Sequence, residues 1–174
     1  MTTMLKVDLG LLKRAKSLEV DELVPGDSPL WSDAGLVFDT ALRVQLEVEE
    51  SGEDVIATGR LTGAATMPCR RCLEPVAIQL DHPVRLWFRA GISELEAEAE
   101  EDNVYALPPR ARELDLSDAV REHVILGMPE YVLCKEDCRG LCPHCGTDLN
   151  RETCDCTVEP VDDRWAALRR AKLD

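Results

Sequence analysis

The sequence predicts an α+β fold, with an antiparallel β-sheet in the N-terminal half and helices with a cysteine-held module in the C-terminal half. Three observations point there. Apolar and polar residues alternate in three runs before Ala90, an apolar stripe at helical spacing follows Pro109, and most of the cysteines cluster after Leu133. A division at residues 1–133, an α+β core with a Cys-x-x-Cys tip at 69–72, and 134–174, a cysteine-rich module with a terminal helix, fits that pattern.

At the start of the chain Leu5, Val7 and Leu9 alternate, and Leu18 and Val20 repeat the spacing. The first 25 residues therefore predict two short strands around a turn. Pro25, Gly26, Pro29 and Gly35 mark an irregular link. From Leu36 to Glu49, Val37, Leu42, Val44, Leu46 and Val48 interleave with Asp39, Arg43, Gln45, Glu47 and Glu49, a strand rhythm. Ser51-Gly52-Glu53-Asp54 supplies a turn. A second strand run, Val55 to Met67, leads into Cys69, and a third, Val76 to Phe88, leaves Cys72, so the cysteine pair sits at the tip between two strands.

The tract Ser93 to Asp102 carries Glu94, Glu96, Glu98, Glu100, Glu101 and Asp102, a density of like charge that predicts a solvated, mobile loop, with an acidic docking arm as the alternative. After Pro108-Pro109, Leu114 to Met128 reads as a helix, with Asp115 as cap, Leu116, Val120 and Val124 at helical spacing, and Gly127 with Pro129 as the stop. A terminal helix is expected over Val161 to Leu173. Its acidic start, Asp162 and Asp163, and basic end, Arg169, Arg170 and Lys172, suit the helix dipole.

Composition bounds the function. Of 174 residues, 45% are apolar and 31% charged, a globular balance, while only 4% are aromatic, so Val, Leu, Ala and Ile must build the core. A net charge of −14 repels polyphosphate as a whole, so nucleic acid could be held only through a local basic patch. The interrupted N-terminus, with Lys6, Asp8, Lys13, Arg14 and Lys16, resembles no signal peptide, and no stretch reaches membrane-spanning length. A cytoplasmic protein with reduced thiols and no membrane partner is the expectation.

Eight cysteines occur as Cys69 and Cys72, then Cys134, Cys138, Cys142, Cys145, Cys154 and Cys156. Zinc takes four tetrahedral thiolate or imidazole ligands, and a Cys-x-x-Cys turn offers two sulfurs to one ion while its amides point at them. Eight is twice four, so two zinc ions are expected. Cys154 and Cys156 flank one residue and, in an extended segment, face the same way, which closes a local set with Cys142 and Cys145. Cys134 and Cys138 then complete the set begun by Cys69 and Cys72, clipping together a loop of about 60 residues. A rival arrangement puts the two Cys-x-x-Cys turns on one ion and the other four cysteines on the second. A disulfide framework would need an oxidising compartment, and an iron–sulfur cluster is a further alternative.

Four thiolates fill a zinc shell and leave no open position for substrate, so the sites read as structural and the protein as no enzyme, with no small-molecule substrate. His144, His82 and His123 read as structural too. Phosphate loops, serine elbows and paired-histidine metal motifs do not occur in the sequence. A zinc with four thiolates carries about −2, and Arg70, Arg71, Lys135 and Arg139 surround the first set. They compensate that charge or, with Arg85 and Arg89, form a cationic face able to grip RNA phosphate. Asp148, Glu152 and Asp155 oppose that role at the second set.

The sequence Cys69-Arg-Arg-Cys72-Leu73-Glu74-Pro75, the Gly-Met-Pro helix end, Leu133-Cys134 through Cys138-Arg-Gly140-Leu141-Cys142-Pro143-His-Cys145-Gly146, Asp148-Leu149-Asn150 and Cys154-Asp-Cys156 together resemble the YceD family of large ribosomal RNA subunit accumulation proteins. The resemblance runs from about Leu36 to Val161-Asp162-Asp163-Arg164-Trp165 and the residues after it. It implies a bacterial cytosolic factor needed for 23S ribosomal RNA accumulation, with large-subunit RNA or the pre-ribosome as partner. Related chains keep the first four ligand positions, one as His, and can lack the last cysteines. That favours the first pairing and implies an accessory role for the Cys142–Cys156 module. The competing expectation is an acidic adaptor that binds a basic ribosomal protein.

Overall fold

The computed structural model describes residues 5–31, 38–98 and 103–156. The expected terminal helix, Val161 to Leu173, lies outside them, as do Leu36 and Val37. Strands β1 (Lys6–Asp8), β2 (Ser17–Val24), β3 (Leu42–Ser51), β4 (Asp54–Pro68), β5 (Pro75–Ala90), β6 (Val104–Leu107) and β7 (Glu113–Asp115) are joined by helices α1 (Leu9–Ala15), α2 (Glu94–Glu98) and α3 (Ser117–Gly127). One sheet has the order β2-β3-β4-β5-β6, and β1 pairs with β7 in a second.

Alternation in the sequence becomes two faces of the large sheet. Leu42, Val44, Leu46 and Val48 of β3 are buried, while Arg43, Gln45, Glu47 and Glu49 between them are exposed. β3 and β4 approach so closely at Gly59 that a Cβ there would stand 1.9 Å from the Gln45 carbonyl oxygen. The apolar face packs on Leu9 and Leu12 of α1 and on Ala119, Val120 and Val124 of α3. β4 and β5 pair from Val55↔Phe88 to Pro68↔Pro75, which projects the Cys69–Cys72 turn from the end of a long hairpin.

Four expectations change. The sheet is mixed, because β6 runs parallel to β5 after a crossover through α2. Two strands do flank the start of the chain, but α1 replaces the turn between them. The Asp8 carboxylate accepts from the Leu11 amide at 2.7 Å, and the left-handed Lys16 closes the helix with an N–H to the Leu12 carbonyl. The segment expected to open α3 is instead β7, so the helix begins at Ser117. Asp115 still caps from outside, its carboxylate accepting from Ser117 N at 2.9 Å. In the acidic tract, Ser93 and Glu96 form a reciprocal capping box that starts α2, and Ala97 is buried. Residues 99–102 lie outside the described segments.

Candidate metal centres

The turn at the hairpin tip is a tight knuckle. Cys69 N donates to the Glu74 carbonyl, and Leu73 N donates back to the Cys69 carbonyl, at 2.7 and 2.9 Å. Leu73 takes a left-handed φ of 63°. The second Cys-x-x-Cys repeats both bonds: Cys142 N reaches the Thr147 carbonyl and Gly146 N reaches the Cys142 carbonyl, with Gly146 at φ 74°. Two turns far apart in sequence thus have one geometry, with backbone amides directed toward the sulfurs.

The first knuckle meets the segment after α3. Arg70 N donates to the Val132 carbonyl, and Leu141 N donates to the Arg71 carbonyl. These bonds bring Cys69 Sγ to 3.8 Å from Cys138 Sγ and Cys72 Sγ to 3.5 Å from Cys134 Sγ. All four sulfurs lie within 4.8 Å of one another, and so do those of Cys142, Cys145, Cys154 and Cys156. A tetrahedron with metal–sulfur bonds of about 2.3 Å has edges of about 3.8 Å, so the first set fits one ion. Each tetrad could hold a metal. The rival arrangement, with both knuckles on one ion, is not the one the chain adopts.

The thiols are poised unequally. Burial opposes ionisation of Cys69, but the backbone amides of Cys72, Arg71 and Cys134 outweigh it and bring the thiol down to about 6. Its neighbour Cys134 is pushed up to about 12, first by the Cys72 thiol and then by burial. In the second set the Thr147 hydroxyl and amide bring Cys145 down to about 6, while Cys145 itself raises Cys156 to about 12. In the second set Cys142 is lowered as well, by the amides of Cys145 and His144, while in both sets other thiols are raised by the sulfurs beside them, a conflict that a divalent cation would relieve. The sets differ in exposure: in the first Cys69, Cys72 and Cys138 are buried and Cys134 is exposed, whereas in the second Cys142 is buried, Cys154 is half-buried and Cys145 and Cys156 are exposed.

The basic residues divide in role. Arg70 lies over the Tyr131 ring, 4.5 Å from its centroid, and both side chains face solvent. Lys135 and Arg139 are also exposed. Arg71 is exposed as well, its Nη1 donating to the Cys138 carbonyl at 2.8 Å and the Glu136 carbonyl at 3.4 Å, while Arg70 Nη1 donates to the Glu130 carbonyl at 3.2 Å. Arg85 and Arg89 stand roughly 30 and 45 Å along β5 from the tip, so they do not extend its basic face. Gly140, at φ 75°, passes so close that a Cβ would lie 2.9 Å from the Arg71 carbonyl oxygen.

Tyr131 and Asn150 were not among the residues the sequence singled out as site groups. Asn150 accepts from Arg139 N at 2.8 Å and directs its amide at Cys138 Sγ, 3.5 Å away. Only the Asp148-Leu149-Asn150 motif marked it, without a chemical role. Of the histidines, His144 is exposed in its knuckle, and His82 and His123 face each other between β5 and α3 at 5.8 Å. Elsewhere Glu94, Glu113, Asp115, Asp118, Glu122 and Tyr105 line an acidic cavity of about 670 Å³. Among the described residues no helix is long and apolar enough to cross a membrane.

Residues 57–172 match the sequence pattern of the family described as large ribosomal RNA subunit accumulation protein YceD. An uncharacterized protein of Mycobacterium tuberculosis is 33% identical over 136 residues, 78% of this chain and 62% of its own length. One from Mycobacterium leprae is 30% identical over 133 residues, 73% of this chain and 57% of its own. A protein of Arabidopsis thaliana, named large ribosomal RNA subunit accumulation protein YCED homolog 1, chloroplastic, is 26% identical over 154 residues, 74% of this chain and 48% of its own. The chain thus spans less than two thirds of the length of these curated relatives. No solved structure matches it at a significant level.

Proposed function

Because this chain belongs to the YceD family of large ribosomal RNA subunit accumulation proteins, we propose that it is a non-enzymatic, cytoplasmic factor for 23S ribosomal RNA accumulation and large-subunit biogenesis. It holds two zinc ions, one in each cysteine tetrad, and contacts precursor RNA through the hairpin tip. The observation that carries this reading is the tip itself. Four sulfurs close enough for one ion join that turn to the segment after α3, and around them Arg70, Tyr131, Lys135 and Arg139 are exposed, interspersed with Glu130, Glu136 and Asp137.

A saturated sulfur shell supplies rigidity rather than a reactive water, which supports a binding role. Single-stranded RNA suits the tip: a guanidinium attracts phosphate, and an exposed tyrosine ring can stack on a base. Arg71 donates to two carbonyl oxygens and is also exposed, so it braces the frame and adds to the cationic surface.

A second reading, an acidic adaptor for a basic ribosomal protein, is favoured by the acidic cavity. The two separate in a binding titration against isolated large-subunit precursor RNA over a salt series. The RNA reading predicts a complex that weakens steeply with salt and loses about tenfold in affinity in the Arg70→Ala, Tyr131→Ala variant. Binding to a basic ribosomal protein with none to RNA would replace it by the adaptor reading. RNA cleavage by the zinc-loaded, nuclease-free protein would overturn the non-enzymatic role.

A further inference from the structure

Asn150 lies on the second cysteine module, yet its side chain serves the first. Its oxygen accepts from the Arg139 amide at 2.8 Å, and a backbone N–H can only donate, so the oxygen is fixed there and the NH₂ group faces Cys138 Sγ at 3.5 Å. The same NH₂ group also reaches the Asp148 carboxylate at 2.7 Å, and Asp148 accepts from Asn150 N at 3.0 Å. Asp148 bridges to Leu141 immediately before Cys142, and Leu149 N donates to the Gly140 carbonyl. Asn150 is therefore set by the loop that the second tetrad folds. Arg151 adds an ion pair from that loop to Glu74 on the first knuckle.

We propose that Asn150 joins the two tetrads into one cooperative metal assembly in which the exposed second centre empties first and its state is passed to the first centre. The inference rests on the reading that both tetrads hold zinc. An N–H···S bond lowers the charge density on a metal-bound thiolate and holds the sulfur in position, and losing such a partner commonly weakens a metal site by about 10- to 100-fold. With the second metal in place, the 142–150 loop is held and Asn150 stays on Cys138. Without it, the loop loosens and the first centre loses that bond. Because the first centre clamps the tip bearing Arg70 and Tyr131, metal supply sensed at the exposed tetrad would reach the RNA-facing surface.

The test is metal release from the full chain to a chromophoric chelator, with wild type, Asn150→Asp, Cys145→Ser/Cys156→Ser and the triple variant. Asn150→Asp keeps the oxygen for Arg139 N and removes the NH₂ donor but sets a second carboxylate against Asp148. Asn150→Asp/Asp148→Asn, which restores the charge, is therefore measured beside it and should release metal as fast. Wild type should release two equivalents in a fast and a slow phase. The slow phase should quicken about tenfold or more in Asn150→Asp and in the double cysteine variant, with no further change in the triple variant. In cobalt-substituted protein, Asn150→Asp and the double cysteine variant should shift the first centre's sulfur-to-metal charge-transfer band alike, because both remove the N–H···S bond, and an unshifted band in either would overturn the coupling. A slow phase unchanged in Asn150→Asp or in the double cysteine variant, or additive effects in the triple, would overturn the coupling while leaving two bound metals intact. Wild type holding fewer than two metals would overturn the coupling together with the zinc reading beneath it.

Discussion

The Arg71 guanidinium donates to the Cys138 carbonyl oxygen at 2.8 Å, so the hairpin tip grips the backbone of the segment that supplies the other half of its tetrad. Its neighbour Arg70 points outward over Tyr131. Arg70 Nη1 also donates to the Glu130 carbonyl, at 3.2 Å, so both arginines touch that segment and Arg71 makes the shorter bond. Arg71→Ala should cost about 1–2 kcal/mol of stability, the scale of a charged hydrogen bond, and should speed metal loss from the first tetrad. Arg70→Ala should leave the melting temperature within about 1–2 °C and weaken RNA binding. Thermal melts beside RNA titrations of the two variants check both.

The two knuckles share their hydrogen bonds but differ at the left-handed position, where Leu73 stands in the first and Gly146 in the second. A side chain in that region costs about 1–2 kcal/mol. Gly146→Leu should therefore destabilise the second tetrad by about that much, and Leu73→Gly should be neutral or stabilising in chelator-release and melting experiments. A large loss of stability in Leu73→Gly would show that the knuckle depends on the exposed leucine itself.

His123 is buried against β5, and neither ring nitrogen finds a hydrogen-bond partner. Burial holds its pKa below the ordinary 6.5; Glu122 pulls against that shift and His82 adds to it. The unfolded chain then takes up a proton first as pH falls, so this contribution to stability is intact above about 6.5 and declines below it. His123→Leu should remove that decline. Denaturation midpoints at pH 7.5 and 5.5 should differ less in the variant than in the parent, and at pH 7.5 the variant should be no less stable.

Removal of metal should be felt locally first. The sheet core, built on Val44, Val48, Leu61 and Leu86, does not include the cysteines, whereas Cys69, Cys72 and Cys138 form their own small cluster with Val76, Leu133 and Leu141. Hydrogen exchange after chelation should accelerate at 69–74 and 130–150 while β3 and the middle of β4 stay protected.

Much of this was legible in the residues. The alternation of Val44, Leu46 and Val48 locates a half-buried strand because a period of two has one physical meaning, and two such runs flanking Cys69 and Cys72 place that pair at a hairpin tip. Local elements were harder to see. α1 is only two turns long and buries just Leu9 and Leu12, too few positions to show a helical period. β6 holds four residues, and its parallel pairing depends on a crossover that no local pattern encodes. The capping box at Ser93 and Glu96 was present in the sequence but hidden among so many acidic residues. In the site, cysteine spacing carried the chemistry, while the roles of Arg71, Tyr131 and Asn150 depend on backbone partners that only the folded chain brings near.

Metal held by the first tetrad would join the hairpin tip to the segment after α3. Native mass spectrometry of gently purified full-length protein, with thiol counting after denaturation, tests this most directly. Two zinc ions per chain and eight reduced thiols on metal removal are the predicted result. Metal-free protein whose cysteines are paired as disulfides would contradict it.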